Sequence, residues 1–386
     1  MAVERIGETF LAEAPKTLLL EQGFRFTHGQ VIAPFSITYE TFGELNATKS
    51  NAILVCHALS ASAHAAGVYT RDESERPGWW DGLIGPGKAL DLDEYFVVCV
   101  NLPGSPFGTT APKSIDPKSG RPFGSHYPWV TIEDMVESQK AVLKHLGIKH
   151  LRAIAGGSLG GMQVLMWCAM YPNAADAIVA MATGPTVPVH GVGWHILGRK
   201  IVEADQRFNG GDYYDSGSEP LRGLQVARML GHMTYLSHSA LQRKFGRRRR
   251  AETRQFEIES YFEYQGRKFA EQFDANSYIR VQAAMDEMDL EEQFGSLHAA
   301  FARWRGRTLL MSFDTDWLFP LGELERVAGA MRSLGVDVCH EQIMSTNGHD
   351  TFLIDFHLFA DKVRQFLEKG LCVERSGEEH GPRSGA

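Results

Sequence analysis

The sequence predicts an α/β fold: a mostly parallel central sheet flanked by helices, interrupted by an all-helical insertion. Short apolar strands alternate with helix-patterned stretches up to about residue 183. Such alternation implies a parallel sheet covered on both faces. From about 188 to 300 strand signals become scarce, and helical stretches rich in Arg, Glu, Met and aromatic residues take over. Strand alternation then resumes at 307.

Each element has its own signal. Residues 35–43 read as an early strand ending in Gly43. Residues 52–56 and 95–100 are continuous apolar runs, as expected of strands buried on both sides. Residues 132–146 carry apolar side chains at helical spacing, with Thr131 as the start signal and Gly147 as the stop. Leu151 to Ala155 is a short strand, 162–170 is apolar enough for a buried helix, and 177–181 is the next strand. The character changes at Gly184-Pro185-Thr186. Helices are expected over 194–203, 221–230 and 262–273, strands over 308–313 and 336–340, and a last helix from Thr351 onward. The expected division is a catalytic domain of 1–185 and 301–372, a helical lid of 186–300, and a polar, frayed tail of 373–386. A helical insertion placed before the last strands reads as a lid that shapes a pocket and keeps water out.

The 386 residues are 44% hydrophobic and 22% charged, which allows one large or two modest domains. The formal charge of −8 argues against a general nucleic-acid binder. Arg247 to Arg250 form a local basic run, with Glu252, Glu257 and Glu259 close behind. It reads as a solvated helix face, with an anion or coenzyme contact as the alternative. The five cysteines, at 56, 99, 168, 339 and 372, form no C-x-x-C pair. They suit reduced core thiols, not a disulfide framework or a zinc site, and metal-independent activity is expected. No segment approaches the roughly 18 apolar residues of a membrane helix, and the N-terminus lacks a basic start followed by an apolar stretch. A soluble, cytoplasmic protein with no membrane partner is expected.

The chemistry centres on Gly156-Gly157-Ser158-Leu159-Gly160, a G-x-S-x-G pattern between a strand and a helix. A serine on such a turn exposes its hydroxyl, and the glycines relieve the crowding. The helix behind it points N–H groups at any anion formed there. In folds of this type the acid and then the histidine follow the serine. The strand at 308–313 ends in Asp314-Thr315-Asp316, and His349 lies in the loop after the next strand. Spacing alone leaves Asp314 and Asp316 in competition. Ser158, an aspartate and His349 make a nucleophile, orienter and base set. Oxyanion donors are expected from the backbone N–H groups of Leu159 and of Leu59, in the loop after the strand at 52–56. Cys56 ends that strand and reads as a core thiol rather than a partner of His57 or His64.

Several blocks in order resemble the homoserine O-acetyltransferases of methionine biosynthesis, within the α/β-hydrolase superfamily. They are Cys56-His57-Ala58-Leu59, Pro77-Gly78-Trp79-Trp80-Asp81, Gly85-Pro86-Gly87-Lys88, Gly108-Thr109-Thr110, Gly156 through Gln163, Asp316-Trp317-Leu318-Phe319-Pro320 and Gly348-His349-Asp350. The similarity runs from about residue 20 to 370. It implies an α/β-hydrolase fold and selects Asp316 as the acid, since the family's acid precedes the Trp-Leu-Phe-Pro run. It also implies that Arg228 and Tyr235 bind the acceptor, with Asp350 beside the base for its ammonium. A homoserine carboxylate calls for a fixed cation, best an arginine fork.

The activity implied is acetyl transfer from acetyl-coenzyme A to L-homoserine by a ping-pong acyl-serine route. No bound cofactor is implied, and the expected assembly is a homodimer joined through the lids. Succinyl-coenzyme A as donor, or serine as acceptor, is the alternative, and a plain esterase is a further one. The chain departs from the family pattern at Leu159, Met166, Ala111 and the stretch 186–190. None of these touches the triad.

Overall fold

The computed structural model describes residues 4–72 and 74–370. An eight-stranded sheet forms its centre. In chain order the strands are β1 (Lys16–Leu20), β2 (Phe35–Phe42), β3 (Ala52–Cys56), β4 (Phe96–Val100), β5 (Ala153–Gly157), β6 (Ala177–Met181), β7 (Arg307–Phe313) and β8 (Val338–Ile343). Across the sheet the order is β8-β7-β6-β5-β3-β4-β2-β1. β3 to β8 pair in parallel, whereas β2 pairs antiparallel with both β4 and β1. The central strands are continuous apolar runs because both faces are covered. In β3, Ala52, Leu54 and Cys56 join the core on one face, while Ile53 and Val55 join the core on the other.

Helices α1 (Ile132–His145) and α2 (Leu159–Met170) pack on the first face through Met135, Val136, Val164 and Leu165. α1 starts at a capping box in which Thr131 and Asp134 satisfy each other's backbone N–H groups. Between β6 and β7 lie only helices among the described residues: α3 (Val189–Glu203), α4 (Leu221–Tyr235), α5 (His238–Lys244), α6 (Glu257–Gln272), α7 (Ala275–Glu287), α8 (Leu290–Phe294) and α9 (Leu297–Phe301), with short 3₁₀ turns. α3, α4, α6 and α7 enclose a separate apolar cluster that includes Val202, Leu224, Phe269 and Tyr278. The two ends of this insertion meet: Thr186 bridges Asp289, and Leu290 N–H donates to the Pro185 carbonyl at 3.1 Å. After β7 come α10 (Leu321–Ser333), then β8, and finally α11 (Thr351–Ile354) and α12 (Ala360–Lys369), which lays Val363, Phe366 and Leu367 on the second face.

The structure shifts some expected boundaries. The strand before the serine is Ala153–Gly157, so Gly156 and Gly157 belong to it, and Leu151 makes only an isolated bridge to Ala175. The helix after it begins at Leu159 rather than 162. The single helix expected from Thr351 is broken, because other partners hold the chain there. The Trp80 indole takes the Phe352 carbonyl at 3.0 Å, and the Asn347 amide takes the Asp355 carboxylate at 2.8 Å. The edge strand β1 is not among the expected elements, because its Lys-Thr-Leu-Leu-Leu run shows no polar–apolar alternation even though its side chains alternate between half-buried and exposed. Cys56, Cys99 and Cys168 are buried free thiols, as expected. Cys339 is disulfide-bonded, so the expectation of reduced thiols fails at that residue. Cys372 and the tail at 373–386 lie outside the described residues. No helix among the described residues is long and apolar enough to cross a membrane.

Candidate active site

Ser158 stands between β5 and α2 with φ 57° and ψ −125°, a strained backbone for any residue with a side chain. Sequence makes the turn feasible. A Cβ on Gly160 would lie 2.1 Å from the Cys56 carbonyl oxygen, and one on Gly157 would lie 2.4 Å from the Phe352 ring. Only glycine lets the first turn of α2 press against the end of β3. The Thr183 hydroxyl, just after β6, donates to the Ser158 carbonyl at 2.9 Å and braces the turn.

Three sequence-distant residues meet there. His349 Nε2 lies 2.8 Å from Ser158 Oγ, and His349 Nδ1 lies 2.8 Å from Asp316 Oδ2. All three side chains are buried. The other carboxylate oxygen of Asp316 accepts from the N–H groups of Leu318 and Phe319 at 2.9 and 3.0 Å. That fixes the acid at the tip of β7. Asp314, its competitor on spacing, instead accepts from Ser345 N–H at 2.7 Å and shapes the loop. Phe319 stacks on the His349 ring at 5.7 Å and Phe352 meets it edge-on at 5.6 Å. Burial pulls the His349 pKa down, but the Asp316 charge and hydrogen bond, with Asp350 adding, hold it above the ordinary imidazole value.

Leu159 opens α2, where the helix ladder supplies no acceptor for its N–H. Leu59 is in the loop after β3, against which that first turn packs. A polar chain holds the loop: the Gln163 amide donates to the His57 carbonyl at 3.2 Å, Gln139 donates to Gln163 at 2.5 Å, and the Trp167 indole donates to Gln139 at 2.7 Å. Sequence reasoning missed this chain. Its signal was a glutamine inside an otherwise apolar helix. Cys56 is enclosed with its thiol pKa pushed up, and burial pushes His57 down to about 4. Neither is poised for catalysis.

The helical insertion brings Arg228 and Tyr235 to the same place. Gly348 makes this approach feasible: its φ is +71°, and a Cβ there would lie 2.7 Å from Ser237 N and 2.9 Å from the Tyr235 carbonyl. The Ser237 hydroxyl also binds the Thr346 carbonyl. So the end of α4 and the start of α5 seat directly on the loop carrying His349. The Tyr235 and His349 rings are 6.2 Å apart. Arg228 lies 5.2 Å over the Tyr235 ring and 4.7 Å over Phe269, and its Nη1 donates to Ser60 Oγ at 3.3 Å. Its Nε has no partner. Among the described residues the Asp350 carboxylate has no hydrogen-bond or ion-pair partner. Burial raises its pKa, against the pull of His349 and Arg228. A cation and a carboxylate thus lie beside the serine, each short of partners, which suits a zwitterionic amino acid. Among the described residues no group of three His, Cys, Asp or Glu side chains is arranged to hold a metal ion.

Comparison with known proteins gives the family. Residues 51–355 match the α/β hydrolase fold family. The chain is 43% identical over 368 residues to a homoserine O-succinyltransferase of Burkholderia ambifaria, covering 92% of this chain and 96% of that one. It is 41% identical over 360 residues to a homoserine O-acetyltransferase of Deferribacter desulfuricans, covering 92% and 95%. The crystal structure of a homoserine O-acetyltransferase from Bacillus anthracis superposes with a TM-score of 0.85 at 30% identity, covering 92% of this chain and 98% of that one.

Proposed function

The chain belongs to the α/β-hydrolase family and, within it, to the homoserine O-acyltransferases, and from that premise we propose that it transfers an acyl group from acyl-coenzyme A to the hydroxyl of L-homoserine. The observation that carries this reading is the pairing of a complete serine–histidine–aspartate relay with an under-partnered Arg228 and Asp350 at the same mouth. Ser158 Oγ attacks the thioester while His349 Nε2 takes its proton. Asp316 keeps the other ring nitrogen protonated and stabilises the imidazolium. The N–H groups of Leu59 and Leu159 receive the oxyanion, each such donor being worth about 2.7–4 kcal/mol. The coenzyme thiol leaves with the proton from His349. Homoserine then enters with its carboxylate on Arg228 and Tyr235 and its ammonium on Asp350. Its hydroxyl gives its proton to His349 and attacks the acyl-serine, restoring Ser158. The coenzyme is a substrate, and no bound cofactor is needed.

Acetyl-coenzyme A is the donor in this reading. The succinyl alternative has two supports: the Burkholderia relative, and the Arg228 guanidinium beside Ser60, next to an oxyanion donor, where an acyl-chain carboxylate would find a cation. The catalytic part is 1–185 with 301–372, and 186–300 serves as its lid. Val189, Ile196, Leu197, Leu221 and Met233 are exposed on the lid helices, which supports a homodimer joined there. Cytoplasmic methionine biosynthesis is the setting.

The test is initial rates of thiol release with acetyl- and succinyl-coenzyme A crossed against homoserine, serine and water. Fast release that requires homoserine supports the reading, and the preferred donor names the acyl group. Equal release with water alone would mean a hydrolase and would remove the roles given to Arg228, Tyr235 and Asp350.

A further inference from the structure

Taking the donor to be an acyl-coenzyme A, as proposed above, we infer that the basic hairpin between α5 and α6, with the cavity beside it, docks the phosphate-bearing nucleotide end of that donor. The chain as a whole is acidic, at −8, yet residues 243–268 hold nine cationic side chains against four acidic ones. A patch of the opposite sign on such a background steers and holds an anion.

Local structure leaves most of these cations without an ion pair. The chain turns at 250–255, where Arg249 bridges Phe256 and Arg250 N–H donates to the Gln255 carbonyl at 2.9 Å. Arg248 pairs with Glu257 at 2.7 Å, and Arg249 lies 3.7 Å over the Phe256 ring. Among the described residues Lys244, Arg247, Arg250, Arg254 and Arg267 have no ion-pair partner. Two of them, Arg250 and Arg267, face a hollow. That hollow is a cavity of about 640 Å³, lined in part by Arg250, Arg267, Tyr261 and Tyr264. Guanidinium groups bind phosphate oxygens in a fork, and tyrosine rings offer faces for a purine to stack on. Tyr264 is 47% exposed, which leaves such a face open. Glu263, also on the wall, suits the exocyclic amine of adenine.

The cavity also lies near the reaction centre. Tyr261 lies on its wall, and the Tyr261 and His232 rings are 5.6 Å apart. His232 and Tyr235 are likewise 5.6 Å apart, and Tyr235 meets His349 at 6.2 Å. Three ring-to-ring contacts therefore separate the phosphate dock from the catalytic base, so a donor docked there has its acyl end on the side of the triad. The root of the hairpin is tied to the same loop, since Arg243 donates to Thr346 Oγ1 at 2.9 Å. On this path His232 is buried, and neither ring nitrogen has a partner. Burial, Arg228 and Lys244 hold its pKa at about 3, so the ring is neutral. A neutral imidazole offers one donor and one acceptor, matching the amides of a pantetheine arm.

The test uses three donors: acetyl-coenzyme A, its 3′-dephospho form, and acetyl-pantetheine, which has no phosphate. The enzyme and its Arg250→Gln/Arg267→Gln variant are compared, with matched thermal unfolding as the check on folding. The unaltered enzyme should favour acetyl-coenzyme A over acetyl-pantetheine by about 100-fold or more in kcat/KM. The variant should raise KM for acetyl-coenzyme A by about tenfold or more, lose nothing on acetyl-pantetheine, and show a weaker dependence on salt. Equal losses on both donors, or no loss while the unaltered enzyme still discriminates, would overturn the dock. If the unaltered enzyme does not discriminate at all, the acyl-coenzyme A reading itself falls, which is a different result.

Discussion

Asp316→Asn separates orientation from charge at the relay. Asp316 Oδ2 accepts from His349 Nδ1 at 2.8 Å, while Oδ1 is held by two backbone N–H groups. Asparagine can keep the Oδ1 contacts, but it turns an amide N–H₂ toward Nδ1. The imidazole must then carry its proton on Nε2, facing Ser158, and it stops being a base. The lost charge has its own cost. Two unit charges about 4 Å apart at an effective dielectric constant of about 20 interact by about 4 kcal/mol, roughly a thousandfold in rate. With the tautomer penalty, acylation should fall by about 10³–10⁴-fold. The pH profile gives a second readout. His349 must be neutral to act, so activity falls as pH drops through its pKa. Despite burial, Asp316 and Asp350 hold that pKa above the ordinary imidazole value. Removing the Asp316 charge lowers it, so the acid limb should move to lower pH while the plateau falls. The assay is the pre-steady-state burst of thiol release across pH. A plateau loss under tenfold, or an acid limb that stays or moves up, would refute the relay.

Arg228→Lys loses the fork and should raise KM for homoserine by about 10–100-fold while leaving the acylation burst intact, as stopped-flow thiol release would check. Gln163→Leu leaves the Gln139 amide and the His57 carbonyl without partners at a buried site, which should cost about 1–3 kcal/mol per orphaned group in urea unfolding. Gly160→Ala puts a Cβ 2.1 Å from the Cys56 carbonyl oxygen, so expression should yield aggregated or strongly destabilised protein without activity. A folded, active Gly160→Ala enzyme would contradict the close packing of α2 on β3.

How much was legible in the sequence depended on how local the cause was. β3, β6 and the serine turn announce themselves through continuous apolar runs and glycines, because burial on both faces and backbone crowding act within a few residues. The acid was not legible by spacing: Asp314 and Asp316 both follow β7, only the family's Trp-Leu-Phe-Pro run selects Asp316 in the sequence, and in the fold contacts with His349 and with Ser345 tell the two apart. The break after α11 was hidden for the same reason, since Trp80 and Asn347 impose it from elsewhere in the chain. Ser60 beside Arg228, and the Gln139–Gln163–Trp167 chain, join residues tens of positions apart, a pairing that no periodicity encodes. The basic run at 247–250 is plain in the sequence, but the cavity that Arg250 lines exists only once α6 folds back beside the hairpin.

The most direct measurement is the intact mass of the protein mixed with acetyl-coenzyme A and no acceptor, followed by peptide mapping. A single added acetyl group on Ser158, discharged by homoserine much faster than by water and absent in Ser158→Ala, is the predicted result. Product formed with no acyl-enzyme, or an acetyl group that Ser158→Ala still acquires, would contradict the acyl-serine route.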